Sequence, residues 1–348
     1  MTTTTTTGLR RRALLLAAGA GALAAPHVRP ARAQGPTPVR FALDWALQGN
    51  HGTWALAEDR GVFRREGLAV RTDRGFGSGD TVVKVAAGAY DLGFADFNAA
   101  VRFNAENPDK RLVSIYQVFD RTAAALVTLR GRGIERPQEV AGRRLGAPEG
   151  EGSRLLFPAF ARAAGIDASR VAWTAMAPNL RDTMLRQGQV DAVTGFLFTV
   201  HFNLVGLGAR EEDVLGWPYA ENGLDLYGNA VFARADWLER NGETAARFVR
   251  ASVEGLRMLL ADVPGGMAAL KRREPLFDEA LEARRFAMTR DRSILTPNVR
   301  AAGLGALDME RARLLVRTNA KAHGLAAPPR AEDMFTDRFL PAASERAV

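Results

Sequence analysis

A passage that nearly repeats itself one hundred residues on constrains this chain more than any other feature in it. The first copy runs Val85-Ala86-Ala87-Gly88-Ala89-Tyr90-Asp91-Leu92-Gly93-Phe94-Ala95-Asp96, and the second Leu185-Arg186-Gln187-Gly188-Gln189-Val190-Asp191-Ala192-Val193-Thr194-Gly195-Phe196. Each reads as the end of a helix, a glycine stop, an aspartate and a short apolar strand. The glycine suits a left-handed helix cap, a conformation in which a Cβ is costly. The apolar run after each aspartate is too short for a helix and fits a strand covered on both faces. Two such units predict two α/β lobes of one design. Ligands of open parallel sheets sit beyond the carboxyl ends of the strands. Asp96, Phe97 and Asn98 are therefore expected to face Thr194, Gly195 and Phe196 across one cleft.

The rest of the chain fits this frame. Strand patterns at 38–44, 68–72, 92–95 and 111–119 alternate with helical ones at 51–59, 80–87 and 98–107. That is the βαβ order of a parallel sheet. After a strand at 123–129 and a turn-rich joint at 131–137, a second series follows. It has strands at 143–148 and 170–174, helices at 153–164 and 179–187, and the strand starting at Ala192. A strand at 228–233, beyond Gly216-Trp217-Pro218, is expected to return to the first lobe. From Ala235 onward the pattern is mostly helical, broken at Pro264-Gly265-Gly266. The resulting expectation is a first lobe of 38–125 plus 224–348 and a second of 126–223.

Composition removes several function classes. The formal charge of +8 is concentrated near the start, where Arg10, Arg11, Arg12, Arg29 and Arg32 stand without any acid in residues 1–33; beyond them 42 basic residues face 39 acidic ones, about +3. No Lys/Arg stripe remains, so nucleic acid is not an expected partner. The start reads as an export signal over residues 1–33. Arginines precede the apolar stretch Ala13–Ala25, Pro26 ends it, and Ala31-Arg32-Ala33 is a small-x-small cleavage site before Gln34. The paired arginines point to the twin-arginine route, with the general secretory route as the alternative. No later run of 18 apolar residues exists, so no membrane insertion is expected. The absence of cysteine excludes disulfides, thiolate metal sites, Cys nucleophiles and a lipidated N-terminal Cys. The expected product is a free periplasmic monomer.

Gly75, Gly77 and Gly79 form G-x-G-x-G between a strand and a helix. A dinucleotide fingerprint needs different spacing and opens the first βα unit, not the second. A helix start still accepts oxygens well, so Gly77 and Ser78 are candidate ligand contacts, while Asp80 is assigned a capping role. Gly150-Glu151-Gly152-Ser153 holds the same position in the second series, making Gly152 and Ser153 candidates. Glu149, at the strand end, is either a cleft acid or a solvated surface acid. His51, His201 and His323 lack partners at metal-binding spacing, and no nucleophile elbow, P-loop or zinc-protease motif is present. No catalytic residue, metal or cofactor is assigned. Asp44 and Trp45 end the first strand. Trp45 is either a core residue or a flat face on which a flat ligand stacks. Tyr227, just before the return strand, completes the candidates.

The stretch FALDWALQGNHGTWALAEDRGVFRREGLAV, followed by GFGSGDTVVKVAAGAYDLGFAD, resembles the NMT1/THI5-like solute-binding proteins. These serve ABC importers of sulfonates, nitrate and thiamine pyrimidine precursors. The resemblance runs from about Val39 to about Ala261. It implies an α/β, two-lobed type II periplasmic-binding fold and ABC permease transmembrane subunits as partners. The helix-Gly-x-x-Asp-strand units are common to the whole group. The Leu43-Asp44-Trp45…His51 stretch is more selective and is similar to the pyrimidine-precursor binders, in which the matching segment lines the pocket. The expected solute is accordingly an aminopyrimidine, with sulfonate, taurine or nitrate as the alternative. The same group contains an enzyme that makes the pyrimidine from its own His and pyridoxal phosphate. That enzyme carries a Cys-rich iron motif, from which this chain departs by having no Cys.

Overall fold

Ten strands divide into two five-stranded sheets of the same plan in the computed structural model, which describes residues 1, 2 and 35–348. The export signal expected over 1–33 lies, but for its first two residues, outside the described residues. The first series is β1 (Thr37–Ala42), α1 (Gly52–Asp59), α2 (Val62–Arg65), β2 (Leu68–Asp73), α3 (Ser78–Ala86), β3 (Leu92–Asp96), α4 (Asn98–Glu106) and β4 (Leu112–Gln117). The second is β5 (Ala124–Leu129), β6 (Arg144–Ala147), α5 (Gly152–Ala164), β7 (Ala172–Ala175), α6 (Arg181–Arg186), β8 (Ala192–Phe196), α7 (Leu197–Gly206) and β9 (Val214–Pro218). Then β10 (Asn229–Arg234) precedes the helices α8 (Ala235–Arg240), α9 (Gly242–Ala261), α10 (Val263–Arg273), α11 (Glu279–Thr289), α12 (Pro297–Ala302) and α13 (Met309–His323).

The sheet orders are β2-β1-β3-β10-β4 and β7-β6-β8-β5-β9. Neither sheet is purely parallel, which corrects the βαβ expectation. β10 runs antiparallel to β3 and β4, and β5 antiparallel to β8 and β9. The reason is topological. The chain leaves the first sheet after β4 and returns to it as β10, so each sheet receives one strand directly from the other sheet rather than through a crossover helix. The two connecting segments are stitched together: Thr122 N–H donates to Leu226 C=O at 2.8 Å, and Gly228 N–H to Phe119 C=O at 3.0 Å. Two elements, β9 and α7, carry no clear signal in the sequence.

The repeated units have the local geometry that their glycines and aspartates demand. Gly88 and Gly188 adopt φ of 76° and 75°. Asp91 accepts from the Arg40 backbone N–H (2.8 Å) and Nη2 (2.7 Å); Asp191 accepts from the Arg144 backbone N–H (2.9 Å) and Nη2 (2.7 Å). Arg40 lies on β1 and Arg144 on β6, the strands beside β3 and β8. Each aspartate thus ties its incoming loop to the neighbouring strand.

Helix patterning sets the core. On α9 the buried Ala245, Phe248, Val249, Ser252, Leu256 and Leu259 recur at helical spacing, leaving Glu254 and Arg257 outside. That face covers the first sheet, where Phe41, Trp54, Phe94 and Phe248 meet with centroids 4.6–5.1 Å apart. Burying each such side chain contributes roughly 1.5–3 kcal/mol. The second sheet has a smaller core of its own, built on Val127, Leu185, Val190, Val193, Val200 and Leu204. The carboxyl ends of β1, β3, β6 and β8 are left to meet between the two sheets.

Candidate functional site

The chain past β1 is pinned before it can wander. Leu43 N–H donates to Asp73 C=O at 2.9 Å, Gly75 N–H to Trp45 C=O at 3.1 Å and Gly77 N–H to Asp44 C=O at 2.8 Å. Gly77 has φ of 129°, and a Cβ there would lie 2.8 Å from Gly150 O. The glycine-rich loop is therefore a close backbone contact between the lobes, not a phosphate cradle. Asp44 is buried and faces inward. Its Oδ1 lies 3.0 Å from His51 Nε2, and its Oδ2 accepts from Asn229 Nδ2 at 2.8 Å. Gln48 N–H donates to His51 Nδ1 at 3.1 Å, so the His51 proton sits on Nε2 and is donated to Asp44.

The second lobe meets this segment directly. Gly79 N–H donates to Gly150 C=O at 2.9 Å, and Thr199 Oγ1 donates to Gln48 Oε1 at 2.9 Å. Between the lobes lies a cavity of about 20 Å³. Asp44, Trp45, Gly77 and Ser78 line it from one side; Glu151, Gly152, Arg181, Phe196 and Thr199 line it from the other. Such a volume holds about one water molecule.

Three acids gather here with different partners. Glu151 caps α5, accepting from Ser153 N–H and Arg154 N–H at 2.9 Å each and from Thr194 Oγ1 at 3.3 Å. Asp96, behind Ser78, accepts from Asn98 Nδ2 at 2.6 Å and Asn98 N–H at 3.0 Å. Burial pushes the Asp96 carboxyl up to about 6; the Asn98 hydrogen bonds oppose the rise and the nearby Glu151 carboxylate adds to it. Asp182 takes Arg181 Nε at 2.8 Å and Nη2 at 3.2 Å, and also accepts from Asn203 Nδ2 at 2.6 Å. The Arg181 guanidinium lies over the Trp45 ring, 5.4 Å from its centroid.

A support joins the lobes on the far side of Gln48. Arg285, on α11, donates through Nη1 to the Phe198 and Thr199 carbonyls at 3.0 Å each, and through Nη2 to Asn203 Oδ1 at 2.9 Å. Its partner Glu282 accepts from Gly49 N–H at 2.8 Å. Burial pushes the Arg285 guanidinium down and the Glu282 carboxyl up, each offset in part by the other.

The sequence candidates sort into three groups. Asp44, Trp45, Gly77, Ser78, Gly152 and Phe196 line the cavity. His51, Asp96, Thr194 and Ser153 stand one layer back: His51 holds Asp44, Thr194 holds Glu151, and Asp96 N–H donates to Ser78 Oγ at 3.2 Å. Ser153 Oγ is buried with no hydrogen-bond partner among the described residues. Phe97, Tyr227 and Glu149 are elsewhere. Phe97 turns away from the strand end into the apolar layer, its ring 5.3 Å from Phe335. Tyr227 Oη accepts from Asp308 N–H at 2.9 Å, and the Arg311 guanidinium covers its ring. Glu149 is exposed on the loop. The buried acid is Glu151, two residues on, because only the cap position reaches the free N–H groups of the helix start. The Gly-Glu-Gly-Ser run carried that signal. Arg181, Gln48, Thr199 and Asn229 carried none, since their partners are remote in sequence.

A larger concavity, about 630 Å³, lies within the first lobe against Leu47, Trp54, Val70 and Leu270, with Glu58, Arg71 and Arg273 at its rim. It draws on one lobe alone. The smaller interlobe cavity is the candidate site because the strand ends of both sheets converge on it. Among the described residues no cluster of three His, Asp or Glu could hold a metal ion, and no helix is long and apolar enough to cross a membrane.

Comparisons with known proteins address the same architecture. A family model described as NMT1/THI5 like matches residues 48–263. No curated protein matches the chain in sequence. Among solved structures, the chain is similar to the alkanesulfonate-binding protein SsuA from Xanthomonas axonopodis pv. citri bound to MOPS, with 15% identity, 87% of this chain and 100% of that one covered, and a TM-score of 0.68. It is similar to the periplasmic aliphatic sulphonate binding protein SsuA from Escherichia coli, with 16% identity, 86% and 97% covered, and a TM-score of 0.65. It is also similar to the periplasmic nitrate-binding protein NrtA from Synechocystis PCC 6803, with 11% identity, 87% of both chains covered, and a TM-score of 0.62. At these identities the likeness establishes the two-lobed periplasmic-binding fold.

Proposed function

This chain belongs to the NMT1/THI5-like family, and on that premise we propose that it is the solute-binding component of an ABC importer, closing its two lobes on a flat, amino-bearing solute such as an aminopyrimidine of the thiamine-precursor type. The observation that carries the solute class is the Trp45 face flanked by the carboxylates of Asp44 and Glu151 in one interlobe cavity. Stacking on Trp45 adds roughly 0.5–1.5 kcal/mol beyond area burial. Ring amino groups donate to the carboxylates. A bare anion placed there meets two carboxylates, Asp44 held by His51 and Asn229 and Glu151 held by the start of α5, and is repelled by both.

Capture works by hinge closure about the connecting segments 118–123 and 219–228, with lobes of 38–125 plus 224–348 and of 126–223. The open form offers one set of contacts and the closed form both, so the solute shifts the population toward closure. The closed complex, a monomer, delivers its cargo to the permease subunits. Small-angle scattering checks the motion: the radius of gyration falls on addition of solute, and an unchanged radius at saturation sinks the hinge.

Calorimetry with an aminopyrimidine and with taurine tests the solute class. Tight taurine binding with no aminopyrimidine heat refutes the ring. That outcome favours the second reading, a sulfonate or nitrate carrier, for which the Arg181 guanidinium at the cavity is the supporting feature, together with the ligands named for the structural relatives. Twin-arginine export to the periplasm is read from Arg11 and Arg12; replacing both with Lys should trap precursor in the cytoplasm, and normal export of that variant points to the general secretory route. The chain is read as a binder rather than a pyrimidine synthase because it has no Cys for the iron motif. Incubation with pyridoxal phosphate and iron should leave its mass unchanged, whereas a lost His fragment overturns the assignment.

A further inference from the structure

Arg181 is the most unusual side chain at the cleft. It is a guanidinium with 1% of its surface exposed, carried by the first turn of α6 in the second lobe. Its Nε and Nη2 are taken by Asp182, but Nη1 has no acceptor among the described residues, although the side chain lines the cavity. Nη1 is not one of the fully buried unpaired atoms, so it keeps a small accessible area while it packs beside Gly195. Its Cζ lies over the ring of Trp45, which comes from the other lobe, 5.4 Å from the centroid.

We propose that Trp45 and Arg181 are the two walls of a stacking slot that opens and closes with the lobes, and that Arg181 Nη1 is the donor for a neutral oxygen on the ring held there. This rests on the ring reading above. Two stacking contacts need roughly 7 Å between the walls, since carbon atoms pack at about 3.5 Å. The present 5.4 Å is the collapsed slot, in which the guanidinium itself covers the indole. The oxygen is neutral for an electrostatic reason. Asp182 cancels the charge of Arg181 in a bidentate pair, so Nη1 offers hydrogen-bond donors without surplus positive charge. Asp44 and Glu151 leave the remainder of the cavity negative. A sulfonate or carboxylate would then face net repulsion, whereas a ring carbonyl or hydroxyl would not. Position is set from a distance: Asn203 holds Asp182 and is itself held by Arg285, on the helix that bridges to the first lobe. The slot therefore selects a planar ring with an amino group at one edge and a carbonyl or hydroxyl oxygen at another.

Calorimetry with cytosine and 4-aminopyrimidine tests this, since the two differ by the ring carbonyl, with taurine as the anionic probe. The wild type should bind cytosine at least tenfold more tightly than 4-aminopyrimidine. The double variant R181M/D182N, which removes the pair without stranding a buried charge, should bind the two rings with a ratio near one. The single variant D182N unmasks the guanidinium and should bind taurine at least tenfold more tightly than the wild type. Equal binding of the two rings by the wild type, or a cytosine preference that survives in R181M/D182N, overturns the Arg181 assignment and leaves the ring reading standing. Taurine heat with no heat from either ring overturns the ring reading itself, and silence from all three probes overturns both.

Discussion

The two repeated units are the same at their outer ends and different at their inner ones. At the outer end, Gly88 and Gly188 share one backbone conformation, and Asp91 and Asp191 grip Arg40 and Arg144 through the same atoms. At the inner end the first unit finishes with Ala95 and Asp96, and the second with Gly195 and Phe196. The Asp96 carboxyl is buried and raised; Phe196 is an apolar wall of the cavity. Gly195 is small because Arg181 fills the space beside it: a Cβ there would lie 2.6 Å from Arg181 Nη1. The repeated ends build the lobes. The divergent ends build the cleft, where repetition would have placed two like acids face to face.

The sharpest way to test that division is pH. The Asp96 carboxyl, raised from 3.8 to about 6, binds a proton more tightly in the folded protein than in the unfolded chain. Its contribution to stability is therefore complete below about pH 4 and is lost as pH rises through about 6, a span worth roughly 3 kcal/mol by linkage. Asp96→Asn should flatten this slope in denaturant titrations at pH 4.5 and 7.5. Nothing at the inner end of the second unit titrates, so an unaltered slope in the variant would remove the electrostatic contrast between the two ends.

Next in size is the steric contrast. Gly195→Ala should cost about 1–3 kcal/mol through overpacking against Arg181 and Val200, and should weaken solute binding as the guanidinium shifts. The first unit already carries a Cβ at the matching Ala95. A melting temperature for Gly195→Ala equal to that of the wild type would mean that the glycine is not there for Arg181.

The outer ends should answer alike. Asp91→Ala and Asp191→Ala each remove a carboxylate that accepts a backbone N–H and two guanidinium N–H groups. With the arginines half exposed, about 1–2 kcal/mol is expected for each. Agreement within about 0.5 kcal/mol supports a shared structural device, and a twofold disparity breaks the symmetry. The smallest effect belongs to Gly88→Ala and Gly188→Ala, at about 1 kcal/mol each for a Cβ in the left-handed region. A neutral Gly188→Ala would show that this cap relaxes freely.

These contrasts also mark how far the residues can be read without coordinates. The helix-glycine-aspartate-strand units are local: spacing, a left-handed glycine and an apolar run suffice, and the elements around them follow within a few residues. Asp44, Trp45 and His51 lie within one short segment, and their expected place beside the cleft rests on β1 ending where it does. Glu149 against Glu151 was a choice between neighbours, and the capping rule would have settled it for Glu151. Phe97 and Tyr227 look like cleft residues on the linear map, yet each turns into an apolar layer supplied by the distant α13 segment and the chain beyond it. The antiparallel placement of β5 and β10 is likewise invisible locally, because a strand's own pattern does not record which sheet it joins.

By itself, then, the sequence determined the two-lobed α/β plan, the family and the segment after β1 that meets the cleft, since periodicity, turn chemistry and an Asp-Trp…His run act over a few residues. Only the tertiary structure decided what the cleft contains. Arg181 reaches Trp45 across 136 positions of chain, Gln48 meets Thr199, Asp44 meets Asn229, and the charge of Arg181 is cancelled by an Asp182 that Asn203 and Arg285 hold in place. Packing of the two sheets against each other makes neighbours of residues that share no local pattern. Burial between the two sheets turns ordinary surface chemistry (a guanidinium, two carboxylates and an indole) into a site where each hydrogen bond and each charge counts.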